Sequence, residues 1–231
     1  MESTVLRISG NNFRPGKEEE INLWWSTHHV SLILTGQAVA GERYQKIGDD
    51  KAYPQFLVIY EFEDEKALND YLKSLLYKEI APEDERRAGW RQREDISDVW
   101  EMNYRLTAKR GKKDTSLAFN MVATHLPRGA TEAEFNEWYN YDHVTSLLRS
   151  PEILRIERYE RIGNDERIPR YLCFHRYLTE KAIAERRNGF LGKIGMEERR
   201  QVYPDGVWWD GTWRASYKML SKERKDDWTY L

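Results

Sequence analysis

Asn22-Leu23-Trp24-Trp25-Ser26-Thr27-His28-His29-Val30 is the stretch that decides the fold, because the chain writes it twice. The second version is Asn136-Glu137-Trp138-Tyr139-Asn140-Tyr141-Asp142-His143-Val144. Around each, apolar residues recur at helical spacing: Ile21, Trp24, Trp25 and Leu32 in one, Phe135, Trp138, Tyr139 and Leu147 in the other. That i, i+3, i+4 stripe means one face of each helix is buried. His28 and His29 continue the first stripe, and Asp142 and His143 the second, so titratable groups sit at the end of an aromatic face.

Working outward, the likeness extends along the chain. At an offset of 114, Glu20, Asn22, Trp24, His29, Val30 and Leu34 match Glu134, Asn136, Trp138, His143, Val144 and Leu148. At an offset of 115, Glu42-Arg43-Tyr44 matches Glu157-Arg158-Tyr159, Ile47-Gly48 matches Ile162-Gly163, and Glu65-Lys66-Ala67 matches Glu180-Lys181-Ala182. The one-residue shift falls after the first helix, where a loop absorbs it. A search for repeats precedes any fold assignment, and here it gives two copies of one unit, residues 1–110 and 111–231.

Each copy has the same element pattern. A strand-like run, Thr4 to Ser9 or Ser116 to Thr124, precedes the helix. Thr131 and Glu134 have the spacing of a capping box, and the first helix starts near Gly16. Gly41–Ile47 and Ile156–Ile162 read as strands closed by a Gly turn. Phe56–Phe62 and Arg170–Leu178 read as strands from their aromatic and β-branched content. A second helix follows, with Ala67, Leu68, Tyr71, Leu72, Leu75 and Leu76 as its apolar face. In the second copy this helix starts at Thr179 and is interrupted by Gly189, Gly192 and Gly195. Val99–Ala108 and Thr212–Ser221 close the copies, with Trp100/Tyr104 and Trp213/Tyr217 each on one sheet face, and Lys109–Asp114 reads as a polar linker. The fold class is therefore α+β: two fused ferredoxin-like β-α-β-β-α-β repeats. With both helices on one face of each sheet, the other faces are expected to pack together as a pseudo-twofold α+β barrel.

Composition narrows the function. A length of 231 residues with 40% hydrophobic and 13% aromatic content suits a folded chain with a wide aromatic core. A net charge of −2 with mixed signs gives no footprint for nucleic acid or an anionic membrane. The single cysteine, Cys173, leaves no intrachain disulfide and suits a reducing compartment. MESTVLRISG has no apolar core of a secretory signal and no run is long enough to span a bilayer, so a cytoplasmic protein is expected. There is no G-x-G-x-x-G, Walker loop, H-E-x-x-H, paired-Cys motif or G-x-S-x-G elbow, and so no nucleotide, zinc or serine-nucleophile site is indicated. No metal site and no cofactor are expected. Glu83-Asp84-Glu85-Arg86-Arg87 reads as a solvated run.

The candidate catalytic residues are His29, His143, His28, His175 and Asp142. His29 and His143 hold equivalent places, and a buried neutral imidazole serves as general base or acid near neutral pH. The competing reading is a hydrogen-bonded brace between helix and strand. His28 and Asp142 differ between the copies, where one site could specialise, although adjacent helix positions point about 100° apart. Alternation puts Tyr171, Cys173, His175 and Tyr177 on one face; their counterparts in the first copy are Phe56, Val58, Tyr60 and Phe62, so the second copy has the more polar face. Which layer that face meets is open. Cys173 reads as an inert buried thiol, and His125 as an exposed loop residue. Trp24, Trp25, Tyr60, Trp138, Tyr139, Tyr171, Trp100 and Trp213 are the expected substrate-lining aromatics.

The element order with Trp24-Trp25-x-x-His28-His29-Val30 and Trp138-Tyr139-x-x-Asp142-His143-Val144 resembles the dimeric α+β barrel superfamily, and within it the EthD-like proteins. That resemblance implies a pocket between sheet and helices. It also implies relatives that include cofactor-free monooxygenases, isomerases, cyclases and lyases of aromatic, polyketide-like or lactone substrates, with more distant relatives binding haem. The expectation is a cofactor-independent enzyme using histidine acid–base chemistry on a hydrophobic or aromatic small molecule, a lyase (dehydratase or decarboxylase type) or isomerase first. A cofactor-free monooxygenase is the alternative, and a haem-binding or non-catalytic assembly protein the third reading. A homodimer is compatible with all three.

Overall fold

The computed structural model describes residues 4–87, 96–112, 115–203 and 212–228, the side chains of 96–99 and 228 apart. Its elements in chain order are β1 (Val5–Phe13), α1 (Glu18–Trp24), α2 (Val30–Leu34), β2 (Ala38–Ile47), β3 (Phe56–Phe62), α3 (Glu65–Lys73), α4 (Ala81–Arg87) and β4 (Ile96–Gly111). Then follow β5 (Ala118–Thr124), α5 (Glu132–Glu137), α6 (Val144–Leu148), β6 (Ile153–Arg161), β7 (Tyr171–Tyr177), α7 (Glu180–Asn188), α8 (Phe190–Val202) and β8 (Trp213–Arg224). The strands hydrogen-bond in the order β1-β3-β2-β8-β5-β7-β6-β4, which closes on itself as a barrel.

Two compact units divide the chain: Met1–Arg105 with Met219–Leu231, and Leu106–Lys218. In unit 1 the order is β4-β1-β3-β2 with the last half of β8 beside β2; in unit 2 it is β8-β5-β7-β6 with the last part of β4 beside β6. β4 and β8 thus run through the division, and the sequence reading of a boundary at 110–111 falls inside β4. Lys109 to Gly111 are strand rather than linker, and Lys112 N–H donates to Leu154 O at 2.8 Å. Lys113 and Asp114 lie outside the described residues.

Local chemistry starts the helices where the sequence says, but α3 stops earlier than read: it ends at Lys73 with Ser74 extended, and Leu75, expected on its apolar face, is exposed. Thr131 accepts from the Glu134 N–H while the Glu134 carboxylate accepts from the Thr131 N–H, a complete capping box. Asp64 caps α3 through the Ala67 N–H, and Thr179 caps α7 through the Ala182 N–H. Gly48 and Gly163 end β2 and β6 at φ of 90° and 93°, the left-handed region that glycine enters without a Cβ clash.

Register sorts each sheet into two faces. In unit 1, Arg7 pairs with Tyr60 and Tyr60 with Gly41, so Arg7, Asn11, Arg43, Val58 and Tyr60 share a face. That face meets the helices: a Cβ on Gly41 would lie 2.5 Å from Val30 Cγ1, so only glycine lets α2 come this close. In unit 2, Asn120, Arg158, Cys173 and His175 share the corresponding face. The opposite faces carry Ile8, Leu57, Ile59 and Tyr104, and Phe119, Leu172, Phe174 and Tyr217, all buried. Strand β3 is buried at six of seven positions and β7 at all seven, as strands covered on both sides must be.

Candidate functional site

Both copies of the Trp–His stretch contain a π-helical turn, Trp25–His29 and Trp138–His143, where Val30 N–H reaches back to Trp25 O and Val144 N–H to Tyr139 O. Such turns widen a helix by one residue and are frequent at functional sites. The sequence pattern did not show them. Their effect is to turn Trp25 and His29 together into the sheet, ring centroids 4.2 Å apart, while His28 stays exposed. Asp142 is exposed too, so neither member of the differing pair faces the sheet.

In unit 1, His29 is 3% exposed and sits between Trp24 and Trp25. Its Nδ1 lies 3.4 Å from Asp84 Oδ2, and its Nε2 lies 3.6 Å from Glu85 Oε1. Asp84 Oδ1 also meets His28 Nε2 at 2.9 Å, so one carboxylate of α4 ties both imidazoles. Burial pushes His29 down to about 4; Asp84 opposes that shift, and Arg43 and His28 add to it. His29 is therefore a neutral imidazole at pH 7, backed by two carboxylates.

Arg43 on β2 is fully buried, its Nη2 donating to Asn22 Oδ1 at 2.6 Å and its guanidinium 5.0 Å from the Trp25 ring centroid. Burial lowers it to about 10, and it remains a cation. Tyr60, across the sheet on β3, is held well above the usual tyrosine range by burial, and so it keeps its proton. Among the described residues, Arg43 Nε and Nη1, Trp25 Nε1 and Tyr60 OH are buried without a hydrogen-bond partner, as is the acceptor Asn11 Oδ1. Buried donors are almost always paired, because leaving one bare costs about 1–3 kcal/mol. Arg7, on the same face, is by contrast held by Glu101 at 2.8 Å and Tyr77 OH at 3.0 Å.

Unit 2 repeats the frame with different chemistry. Arg158 donates to Asn140 at 2.6 Å and to Asn136 at 3.0 Å, 4.2 Å from the Tyr139 ring centroid. His143 stacks on Trp138 with centroids 4.8 Å apart. Burial takes His143 down to about 3, with His175, Arg199, Arg214 and Arg158 adding to the shift. His175 faces the helices and also falls to about 3, through burial, Arg214 and Arg186. Among the described residues no carboxylate supports either imidazole as Asp84 supports His29. Burial pushes the Cys173 thiol up to about 12, which leaves it un-ionised and inert. His125 is only partly enclosed; burial and Arg161 lower it.

The structure thus brings together Trp24, Trp25, His28, His29 and Tyr60 in unit 1, and Trp138, Tyr139, His143, Tyr171 and His175 in unit 2. Tyr171 packs on Phe135 at 5.0 Å. It separates Trp100 and Trp213 from them. Trp100 pairs with Gly10, and Trp213 with Ala123, on the faces turned away from the helices. Period-2 alternation settles their side once the register is known. Sequence reasoning missed Arg43, Arg158, Asn22, Asp84 and Glu85. The Glu-Arg-Tyr and Asn matches between the copies were a signal for the arginines. The charge run 83–87 carried none, because only the tertiary fold lays α4 against His28 and His29.

Among the described residues no group of three or more His, Cys, Asp or Glu is placed to hold a metal ion. A haem would need an imidazole nitrogen opening on an apolar slot. Both His29 nitrogens lie beside carboxylates, the His143 ring is covered by Trp138, and the bare Nε2 of His175 has Arg214 and Arg186 as neighbours. These three imidazoles do not fit that group.

No family model and no curated protein sequence matches the chain. Solved structures do. An anthrone oxidase-like protein aligns with a TM-score of 0.67 at 8% identity, over 97% of this chain and 94% of that one. A candidate monooxygenase from Fusobacterium nucleatum aligns at 0.64 and 13% identity, over 96% and 95%. A variant chlorite dismutase from Candidatus Nitrospira defluvii aligns at 0.59 and 9% identity, over 98% and 94%. At such identities the likeness is one of fold, that of the α+β barrel proteins. No helix among the described residues is long and apolar enough to cross a membrane.

Proposed function

We propose that the chain is a cofactor-independent oxygenase acting on an electron-rich aromatic or polyketide-like molecule at the helix–sheet interface of unit 1. The observation that carries this reading is the set of buried donors without partners among the described residues: Arg43 Nη1 and Trp25 Nε1 beside neutral His29, and Tyr60 OH on the sheet face that carries Arg43. Donors fixed in a dry site favour charge that develops on a substrate oxygen. His29 takes the proton of an activated C–H or phenolic O–H, and Asp84 and Glu85 stabilise the imidazolium. The enolate or phenolate oxygen then accepts from Arg43, Trp25 and Tyr60. Dioxygen takes the electron pair at carbon, forming a C–O bond, and the resulting hydroperoxide loses water to leave a carbonyl. For a methylene between two aryl rings this consumes one O2 and releases one water.

The names of the structural neighbours, anthrone oxidase-like and monooxygenase, support oxygen chemistry. None supports the lyase or isomerase placed first from the sequence, and oxygenase takes that place. Oxygen uptake by the purified protein with anthrone as substrate, in the presence of chelator, tests the reading. One O2 per anthraquinone, and a kcat lowered by roughly 10²–10⁴-fold in His29→Gln, are expected. Equal turnover in that variant, or no uptake with anthrone and related phenols, sinks it.

The finer lineage belongs to the same proposal. The chain is a tandem duplication of a ferredoxin-like unit in the EthD-like group, residues 1–110 and 111–231, a cytoplasmic protein whose partner is the small molecule rather than nucleic acid or membrane. The matched Arg43–Asn22 and Arg158–Asn136 contacts support the duplication.

A further inference from the structure

We propose that the helix–sheet interface of unit 2 holds a second binding site, for a carboxylate-bearing small molecule received by the Arg186 guanidinium and the His175 imidazole. Both residues are 8% exposed. Among the described residues Arg186 makes no hydrogen bond or ion pair, and its Nε is buried without a partner, as is His175 Nε2. Arg186 is nearly buried and its Nε wholly so, and natural chains usually pair such charges. The carboxylate that feels Arg186 is Glu152, which is already engaged by the Ser150 hydroxyl.

The sequence clears room for this guanidinium. The glycines that interrupt the helical pattern after Thr179 lie against it: a Cβ on Gly192 would sit 2.4 Å from Arg186 Nη1, and one on Gly195 3.2 Å from Nη2. Strand register supplies the floor. His175 pairs with Asn120, and Asn120 with Ser216; one row on, Arg158, Cys173, Val122 and Arg214 follow across β6, β7, β5 and β8. Un-ionised Cys173 and Val122 make the middle of that row apolar, with an arginine at each end. Asn120 and Ser216 are bonded to each other at 2.6 Å, and Asn120 donates to Tyr177 OH at 3.2 Å, so they are spoken for. What is left without a hydrogen-bond partner is the Arg186 guanidinium, a planar fork, and His175 Nε2, one ring nitrogen. A carboxylate, with two in-plane oxygens, matches a guanidinium edge bidentately. The site differs in kind from unit 1, where the bare donors surround a carboxylate-backed histidine.

The test is a benzoate titration of the full chain followed by the ring nitrogen NMR signals of labelled histidine, with benzamide as the uncharged control. Benzoate is expected to shift the His175 signals saturably and to raise the pH at which that ring protonates, since an anion beside it favours the charged form. Benzamide should do neither. Arg186→Lys keeps the charge, loses the planar fork, and should weaken benzoate roughly ten-fold or more. Trp25→Phe, in unit 1, should leave the His175 response alone. No saturable shift at His175, an equal response to benzamide, or an unchanged affinity in Arg186→Lys would each overturn the proposal.

Discussion

The Arg43 guanidinium lies 5.0 Å from the Trp25 ring centroid while its Nη2 donates to Asn22 at 2.6 Å. One strand cation thus locks a helical turn from two sides, and it still has two nitrogens to spare, Nε and Nη1. Lysine cannot reproduce this, being a point charge without a planar face. Arg43→Lys should lower kcat by about 10²–10³-fold, the usual loss when one donor to a developing oxyanion goes. Arg158→Lys, whose two anchors are Asn136 and Asn140, should unsettle unit 2 with a much smaller effect on turnover. Oxygen uptake beside a thermal melt of each variant separates the two; equal losses of turnover would contradict a working site in unit 1.

His29 near 4 sets the pH dependence of the reaction. A general base works only when deprotonated, so kcat should be level across neutral pH and fall as pH drops through about 4. Asp84 pulls the His29 value upward. Asp84→Asn should therefore move this acid limb to lower pH, and free His28 of its 2.9 Å contact. A kcat profile with an acid limb near the ordinary histidine value, or one that Asp84→Asn leaves in place, would count against His29 as the base.

His175 links stability to pH with a definite sign. Its folded value is about 3 against an ordinary histidine value of 6.5, so below 6.5 the unfolded chain takes a proton that the folded chain refuses. Stability from this group is full above 6.5 and is lost as pH falls toward 3, at about 1.4 kcal/mol per pH unit over that window. Urea unfolding at pH 7, 6 and 5 should show the decline, and His175→Gln should remove about one proton from its slope. An unchanged slope in the variant would mean that His175 titrates normally in the folded protein.

Most of the fold was legible because its signals are local. Phe56–Phe62 is strand at the bounds read from its residues, and the Thr131–Glu134 box forms as its spacing foretold. His29 and His143 end an aromatic helix face as read, each against its Trp neighbour, whereas the layer that His175 meets was open in the sequence and only strand register settles it. Beyond reach were features that depend on register and on contacts distant in sequence. The π-helical turns decide that His29 points in and His28 out. Strand pairing puts Trp100 and Trp213 on the other face, and α4 must fold back some 55 positions to bring Asp84 to His29.

That sidedness makes Trp100 and Trp213 controls. Each lies on the sheet face away from the histidines, Trp100 edge-on to Tyr53 at 6.0 Å. Trp100→Phe and Trp213→Phe should keep kcat and KM within about two-fold while costing some stability through lost buried area, as expected for packing alone. A large KM change in either would place the substrate on that face.

Gly192 and Gly195 share one helix, α8, yet should respond oppositely to an added methyl. A Cβ on Gly192 would meet Arg186 Nη1 at 2.4 Å and the backbone oxygen of Arg186 at 2.1 Å. The side chain could move, but the backbone oxygen belongs to α7 and could yield only by shifting the helix. A Cβ on Gly195 meets Arg186 Nη2 at 3.2 Å and Ser146 Oγ at 3.9 Å, the far ends of two side chains. Alanine in a helix interior gains about 1 kcal/mol over glycine, whereas overpacking costs about 1–3 kcal/mol. Gly192→Ala should therefore destabilise by about 1–2 kcal/mol, and Gly195→Ala should be neutral or slightly stabilising. Urea midpoints read the difference directly. If Gly192→Ala is as stable as Gly195→Ala, α7 and α8 do not approach as closely as Arg186 requires, and its guanidinium is not held between them.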